Sequence, residues 1–140
     1  MTPDPDSTPL DPTETFGSLG PLADGMGIRL VEARPGRVVA TMPVEGNTQP
    51  FGLLNGGASA VLAETLGSLA GMLHAGPDRY VVGVDLHCTH HRAVREGNVT
   101  AVVTPLSEGN TIVTYDVRIT DDEGRPVCTA KLTGIVRSRA

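Results

Sequence analysis

Glu64 is the one formal charge in residues 53–73, a run of 21 residues otherwise made of apolar and small uncharged side chains. A carboxylate in so dry a setting is costly unless it is paired, neutralised by a raised pKa, or opened to a ligand cleft. Ser68 lies one helical turn on, and Ala60 and Gly57 lie one and two turns back, so the face around Glu64 leaves room for a ligand or another backbone. The plainer alternative is that Glu64 meets solvent or an arginine from a strand. Upstream, Asn55-Gly56-Gly57 presents backbone N–H groups, unshielded by any Cβ, at the positive end of a helix dipole. Such an end can hold an anion or a developing oxyanion, although close packing on a sheet would equally explain the glycines. Along one helix, Gly56 and Glu64 lie ~12 Å apart at ~1.5 Å per residue, so they cannot both touch one reacting carbonyl from the same chain. If they share a site, the carboxylate comes from a second subunit whose helix runs antiparallel alongside, which predicts an isologous dimer with two equivalent sites.

The helix that must position these groups is expected over 56–72, with Asn55 as N-cap and apolar residues at 58, 61, 62, 66, 69 and 73. Ala60, Ala63 and Ala70 make it apolar nearly all round, as for a helix covered on most sides. Residues 28–34 and 37–44 read as a hairpin through Pro35-Gly36, and a polar loop over 45–50 leads into the helix. Four strand-like runs follow at 80–91, 98–106, 111–120 and 126–137, separated by turns at 95–98, 107–110 and 121–124. An antiparallel meander of these four is expected. In the third run Val113, Tyr115, Val117 and Ile119 alternate with mostly polar residues, which buries one face. Phe16, Leu19 and Leu22 support at most a short helix between 13 and 23, and residues 1–12, with four of the eleven prolines, read as a disordered tail. The fold class is therefore α+β, a single domain over 13–140 with one central helix on one antiparallel sheet.

Composition narrows the function. The 140 residues are 39% hydrophobic and 19% charged, enough for one core and too few for two comfortable domains. With no Trp, two Phe, two Tyr and a net charge of −5, the chain lacks stacking platforms and phosphate-neutralising charge, which argues against nucleic acid. Residues 53–73 are long enough to span a bilayer, but Glu64, four glycines and the lack of basic flanks favour a buried helix. Cys88 and Cys128 show no CxxC or metal-ligand spacing, and the first residues lack the basic and apolar regions of a signal peptide, so a reducing, cytoplasmic location is expected. On a strand, His87 and His91 would share a face ~13 Å apart with His90 pointing away, at ~3.3 Å per residue, which disfavours a metal site. His74, at the helix end, suits the negative pole of the dipole. No Gly-x-Ser-x-Gly elbow surrounds Ser59 or Ser68, and Cys88 alternates with Val84 and Leu86 on an apolar strand face, as a core residue would.

The stretch Gln49-Pro-Phe-Gly-Leu-Leu-Asn-Gly-Gly-Ala-Ser-Ala-Val-Leu-Ala-Glu-Thr-Leu-Gly-Ser68 resembles the signature of hotdog-fold acyl-CoA thioesterases of the phenylacetate-pathway type. Within that family it is most similar to the branch holding 4-hydroxybenzoyl-CoA and 1,4-dihydroxy-2-naphthoyl-CoA thioesterases. The likeness extends from about residue 14 to the C-terminus and implies a curved sheet wrapped around the central helix. It implies Glu64 as general base or nucleophile, the Gly56 N–H as polariser of the thioester carbonyl, and Gln49 as a polar group that orients water or substrate. Asn55 stands where the family commonly has His; it can cap and donate but cannot carry a proton. Ser68 belongs to the same segment and is a substrate-side candidate. Residues 86–95, with three His, two Arg and no acid, resemble the family strand that lines the coenzyme A channel. By that likeness Val82, Gly83, His90, Arg92, Asn110 and Thr111 are coenzyme A-binding candidates; exposed polar residues at strand ends would look the same.

The resulting expectation is a thioesterase that hydrolyses a small aromatic acyl-CoA at a dimer interface, assembled as a homodimer and further as a homotetramer, with no cofactor beyond the substrate's own coenzyme A and no metal. A thioester carbonyl is electrophilic and its thiolate leaves readily, so one carboxylate and one oxyanion donor suffice. The alternatives are a hotdog protein that binds or dehydrates an acyl thioester without efficient hydrolysis, and a non-enzymatic module. Asp4, Asp6, Asp11, Glu14 and Asp24 account for the whole net charge, since residues 25–140 hold 11 acids and 11 bases. A neutral body with a basic strand end is compatible with the phosphates of coenzyme A.

Overall fold

The computed structural model describes residues 18–139, so the expected tail over 1–12 lies outside the described residues. A five-residue helix α1 (Pro21–Gly25) is followed by strands β1 (Arg29–Arg34) and β2 (Arg37–Pro43), the long helix α2 (Gly56–Ala75), and strands β3 (Arg79–His90), β4 (Asn98–Glu108), β5 (Ile112–Thr120) and β6 (Pro126–Ser138). Of the stretch 13–23, where a short helix is expected, residues 13–17 lie outside the described residues; α1 begins at Pro21, where proline's fixed φ suits a first turn.

The six strands form one sheet in the order β1-β2-β4-β5-β6-β3, every neighbouring pair antiparallel. This corrects the expected four-strand meander: β4, β5 and β6 run as one, but β3 pairs with β6 at the far edge and β2 takes the place beside β4. Residues 91–97 make the crossing beneath the start of α2. Leu54 N–H bonds Val94 O at 2.7 Å, His91 N–H bonds Val127 O at 2.8 Å, and Val44 N–H bonds Gly97 O at 2.9 Å. Seven extended residues reach ~23 Å, comfortably more than the ~14 Å across three strand spacings. Placing β3 at the edge gives the second flank of α2 a wall, because Val81 then packs against Gly71.

Helix α2 starts and stops as its residues dictate. Asn55 Oδ1 accepts the Gly57 N–H at 2.8 Å, and Gly76, at φ +83, turns the chain out with its own N–H on Met72 O. Ten of its twenty residues are buried, Leu62, Ala63 and Leu66 completely. The core they enter holds Met42, Val44, Val99, Val103, Tyr115, Val117, Ile119 and Leu132, each at most 1% exposed. Gly67 lets the helix approach β6 so closely that a Cβ there would sit 3.2 Å from the Leu132 Cβ. No helix among the described residues is long and apolar enough to cross a membrane.

A bulge between Gly83 and Asp85 shifts the register of β3 against β6. It corrects the expected alternation of Val84, Leu86 and Cys88: Val84 is 55% exposed, whereas Leu86 and Cys88 remain half-buried on the helix side. The extra residue breaks the period of two, so residues before and after it cannot be assigned to one face by counting.

Candidate functional site

The carboxylate of Glu64, half-buried two turns into α2, lies directly on the backbone of Gly83 in β3. A Cβ at position 83 would come within 3.1 Å of Glu64 Cδ and would overlap Oε1. The side chain therefore occupies space that only glycine leaves open, on a strand paired along one side only. No arginine or lysine is among the ion-pair partners of Glu64 in the described residues. The plain alternative of an arginine partner from a strand is thus not realised there.

The same arrangement recurs at the helix start. The ring of His90, at the end of β3, lies on Gly56, and a Cβ there would be 3.0 Å from Nε2 and 3.1 Å from Cε1. Asn55 accepts the N–H groups of Gly57, Ala58 and Ser59 through its side chain and carbonyl, which leaves the Gly56 amide outside the capping bonds. That donor is free of the cap and sits at the positive end of the helix. Beside it a groove of ≈ 310 Å³ opens between Met26, Asn47, Thr48, Asn55, Gly57 and Val61.

Of the two thiols, Cys88 feels the charge of Glu64 and bonds Cys128 behind it. Burial pushes the Cys88 thiol above its ordinary range, a hydrogen bond with Cys128 works against that, and the Glu64 charge adds to it. Cys128 is pushed up to about 12, first by burial and then by the charge of Cys88 and the bond to it. Both stay neutral at physiological pH and line the wall as small apolar groups, consistent with the core role expected of Cys88.

The remaining candidates are scattered in a telling way. Ser68 is half-buried one turn beyond Glu64 on α2. Val82 is 45% exposed and pairs with Ile135, so it faces away from Glu64 while its neighbour Gly83 faces toward it. Gln49 turns its Oε1 back to the N–H groups of Phe51 and Leu53 and closes its own loop. Arg92 is exposed in the crossing after β3, whereas Asn110 and Thr111 are exposed in the β4–β5 turn near the start of β3, where Arg79 Nη1 donates to Asn110 O at 3.5 Å. The twelve residues of β3 place these two groups ~36 Å apart at ~3.3 Å per residue. Of the other histidines, His91 bonds Thr129 Oγ1 at 2.8 Å, and His74 does more than face the helix dipole: its Nε2 meets Gly109 O at 2.9 Å and its Nδ1 lies 3.6 Å from Glu108. Sequence reasoning missed that last group, because Glu108 and His74 are 34 residues apart and share no motif.

Residues 51–128 match the family model described as the thioesterase superfamily. The chain is 45% identical over 120 residues to the proofreading thioesterase EntH of Cronobacter turicensis, a match covering 85% of this chain and 88% of that one. Among solved structures it is similar to a mutant thioesterase from Pseudomonas aeruginosa, with a TM-score of 0.87 and 38% identity over 95% of this chain and 97% of that one. A thioesterase from Haemophilus influenzae gives a TM-score of 0.81 and 40% identity, covering 84% and 82%. A six-stranded antiparallel sheet around one central helix, with His90 on the glycine at the helix start and the helix carboxylate on Gly83, thus comes with a sequence that matches over most of its length: the chain belongs to the thioesterase superfamily and has the hotdog fold of its thioester hydrolases.

Proposed function

We propose that the protein hydrolyses the thioester of a small aromatic acyl-CoA, with Glu64 as base or nucleophile and the Gly56 N–H of a second subunit polarising the carbonyl. The observation that carries this reading is the seat of Glu64, a carboxylate without a cationic partner among the described residues, packed onto bare glycine backbone on an edge strand. A carboxylate held there can take a proton from water or attack the thioester carbon, and the departing thiolate needs no metal to leave. The oxyanion that forms is stabilised by an amide aimed from a helix N-terminus.

Two separations support a paired site. Gly56 and Glu64 are ~12 Å apart on one helix, and the coenzyme A candidates Arg92 and Asn110-Thr111 lie at opposite ends of β3. An antiparallel pairing of β3 with β3 of a second copy would set each end beside the other and each Gly56 nearer the partner's carboxylate, as an isologous dimer requires. The unpaired edge of β3, with Val82 and Val84 exposed, suits that contact. A homotetramer would follow from pairing such dimers, and a cytoplasmic setting suits thiols left unpaired.

A thiol-release assay over aromatic and aliphatic acyl-CoAs, wild type beside Glu64→Ala, tests the chemistry. Wild-type turnover that survives Glu64→Ala unchanged refutes the role of Glu64, and turnover confined to aliphatic substrates refutes the aromatic preference. A monomeric mass by light scattering removes the shared site.

A further inference from the structure

At the end of α2 remote from Gly56, three side chains from three elements meet. The hydroxyl of Tyr115, a residue of β5 that is 1% exposed, donates to Glu108 Oε2 at 2.6 Å. His74 in the last turn of α2 places Nδ1 3.6 Å from the same oxygen and Nε2 2.9 Å from Gly109 O. A carbonyl only accepts, so Nε2 is the donor in the contact with Gly109 O. Burial and the adjoining carboxylate push ionisation of the Tyr115 hydroxyl far above its ordinary range, so it remains a neutral donor. The side chains of His74 and Glu108 are only 23% and 20% exposed, which keeps solvent from competing for these bonds.

The backbone ties the same turn as well, since Thr111 O accepts the Val136 N–H at 2.8 Å. Gly109 N–H reaches Ile112 O at 3.0 Å, and a Cβ on Gly109 would lie 2.9 Å from that oxygen, so the chain is as tight as glycine allows. Arg79 adds a second tie from the helix end: its Nε donates to Ala75 O at 3.1 Å and its Nη1 to Asn110 O at 3.5 Å. Asn110 and Thr111 follow at once and are exposed.

We propose that His74, Glu108 and Tyr115 form a polar clamp that fixes the turn at 109–111 for the nucleotide end of the thioester's coenzyme A, as positioning residues that govern binding and not the chemical step. The clamp rests on the reading that Asn110 and Thr111 touch coenzyme A. Its geometry has no route to the reacting carbon, since His74 stands ten residues beyond Glu64, ~15 Å along the helix. Losing one such bond loosens the turn and leaves Glu64 and Gly56 untouched.

The test uses the full chain, with benzoyl-CoA against benzoyl-N-acetylcysteamine, which lacks the nucleotide, and calorimetric titration with coenzyme A itself. His74→Ala and the isosteric Tyr115→Phe are expected to raise the KM for benzoyl-CoA and the Kd for coenzyme A about 3- to 10-fold, the usual effect of one lost hydrogen bond. The kcat and the KM for the truncated thioester should stay within about twofold, and His74→Gln, whose amide can donate to the Gly109 carbonyl, should recover much of the loss. Equal effects on both substrates, or no effect on coenzyme A, overturn the clamp. If Asn110→Ala with Thr111→Ala leaves the Kd for coenzyme A unchanged, or the wild type does not bind it, the contact reading falls and the clamp with it. If that pair weakens binding and His74→Ala does not, the clamp alone falls. Calorimetry decides these outcomes even if benzoyl thioesters are not hydrolysed.

Discussion

Helix α2 lies between two unlike walls. Toward β2, β4 and β5 it meets Val38, Ala40, Met42, Val99, Ala101, Val103 and Val117, all at 0% exposure. Toward β3 the contacts are of another kind: Gly71 of the helix lies against Val81, its Glu64 against Gly83, and its Gly56 against His90. The first wall is branched and closed, and close packing of that kind stabilises a fold while excluding ligands. The second stands on an edge strand whose other face carries the exposed Val82 and Val84. On the proposed role of Glu64, stability and chemistry fall on opposite sides of one helix, so that the reactive side can vary without unfolding the other.

Substitutions on each side should show that division. Glu64→Gln is expected to lower kcat by about 10²- to 10⁴-fold, the usual worth of a positioned base, with little change in Tm; a parallel loss of kcat and Tm in thiol-release and melting experiments would break the comparison. On the closed side, Leu66→Ala should cost about 2–5 kcal/mol in urea unfolding while kcat holds below the transition. Two glycine substitutions sharpen the contrast. Gly67→Ala meets the Leu132 Cβ at 3.2 Å, and overpacking there should cost about 1–3 kcal/mol with activity kept. Gly83→Ala meets the movable end of Glu64, so calorimetry should find stability nearly unchanged while turnover falls. Asn55→Ala removes the cap on Gly57 and should cost about 1 kcal/mol by urea titration.

The thiols give the smallest effect and a pH dependence. With Cys128 pushed up to about 12, its thiolate amounts to about one part in 10⁴ at pH 8, so iodoacetamide should label Cys128 in the folded chain slowly and about tenfold faster per pH unit. The unfolded thiol ionises near its ordinary ~8.5, so this group favours the fold below that pH, and the contribution is lost as pH rises toward about 12. Rapid labelling of Cys128 in native protein at pH 7, read by mass spectrometry of its peptide, would mean that its burial is not maintained.

Much of this was legible in residue order. The helix and its cap at Asn55 announced themselves through periodicity and a side chain that competes for helix N–H groups, and all six strands fell between recognisable turns. Pairing was less legible: nothing local says that β3 crosses to β6, because the crossing is decided by which strand can wall the exposed flank of α2. The bulge at Gly83 hid the face of Val84 for a related reason, since one extra residue is invisible to a count of two. Of the site, the sequence named Glu64, Gly56 and Gly83 but could not say that the first presses on the last.

By itself the amino-acid order determined the helix with its lone carboxylate, the strands, and membership of a thioester-hydrolysing superfamily, because these depend on side-chain type and spacing within a few turns of chain. Only the tertiary structure decided that Glu64 rests on Gly83, that His90 covers Gly56, and that His74, Glu108 and Tyr115 meet. Those contacts join residues from 7 to 34 positions apart, and they exist because one sheet must bend around one helix and bury it.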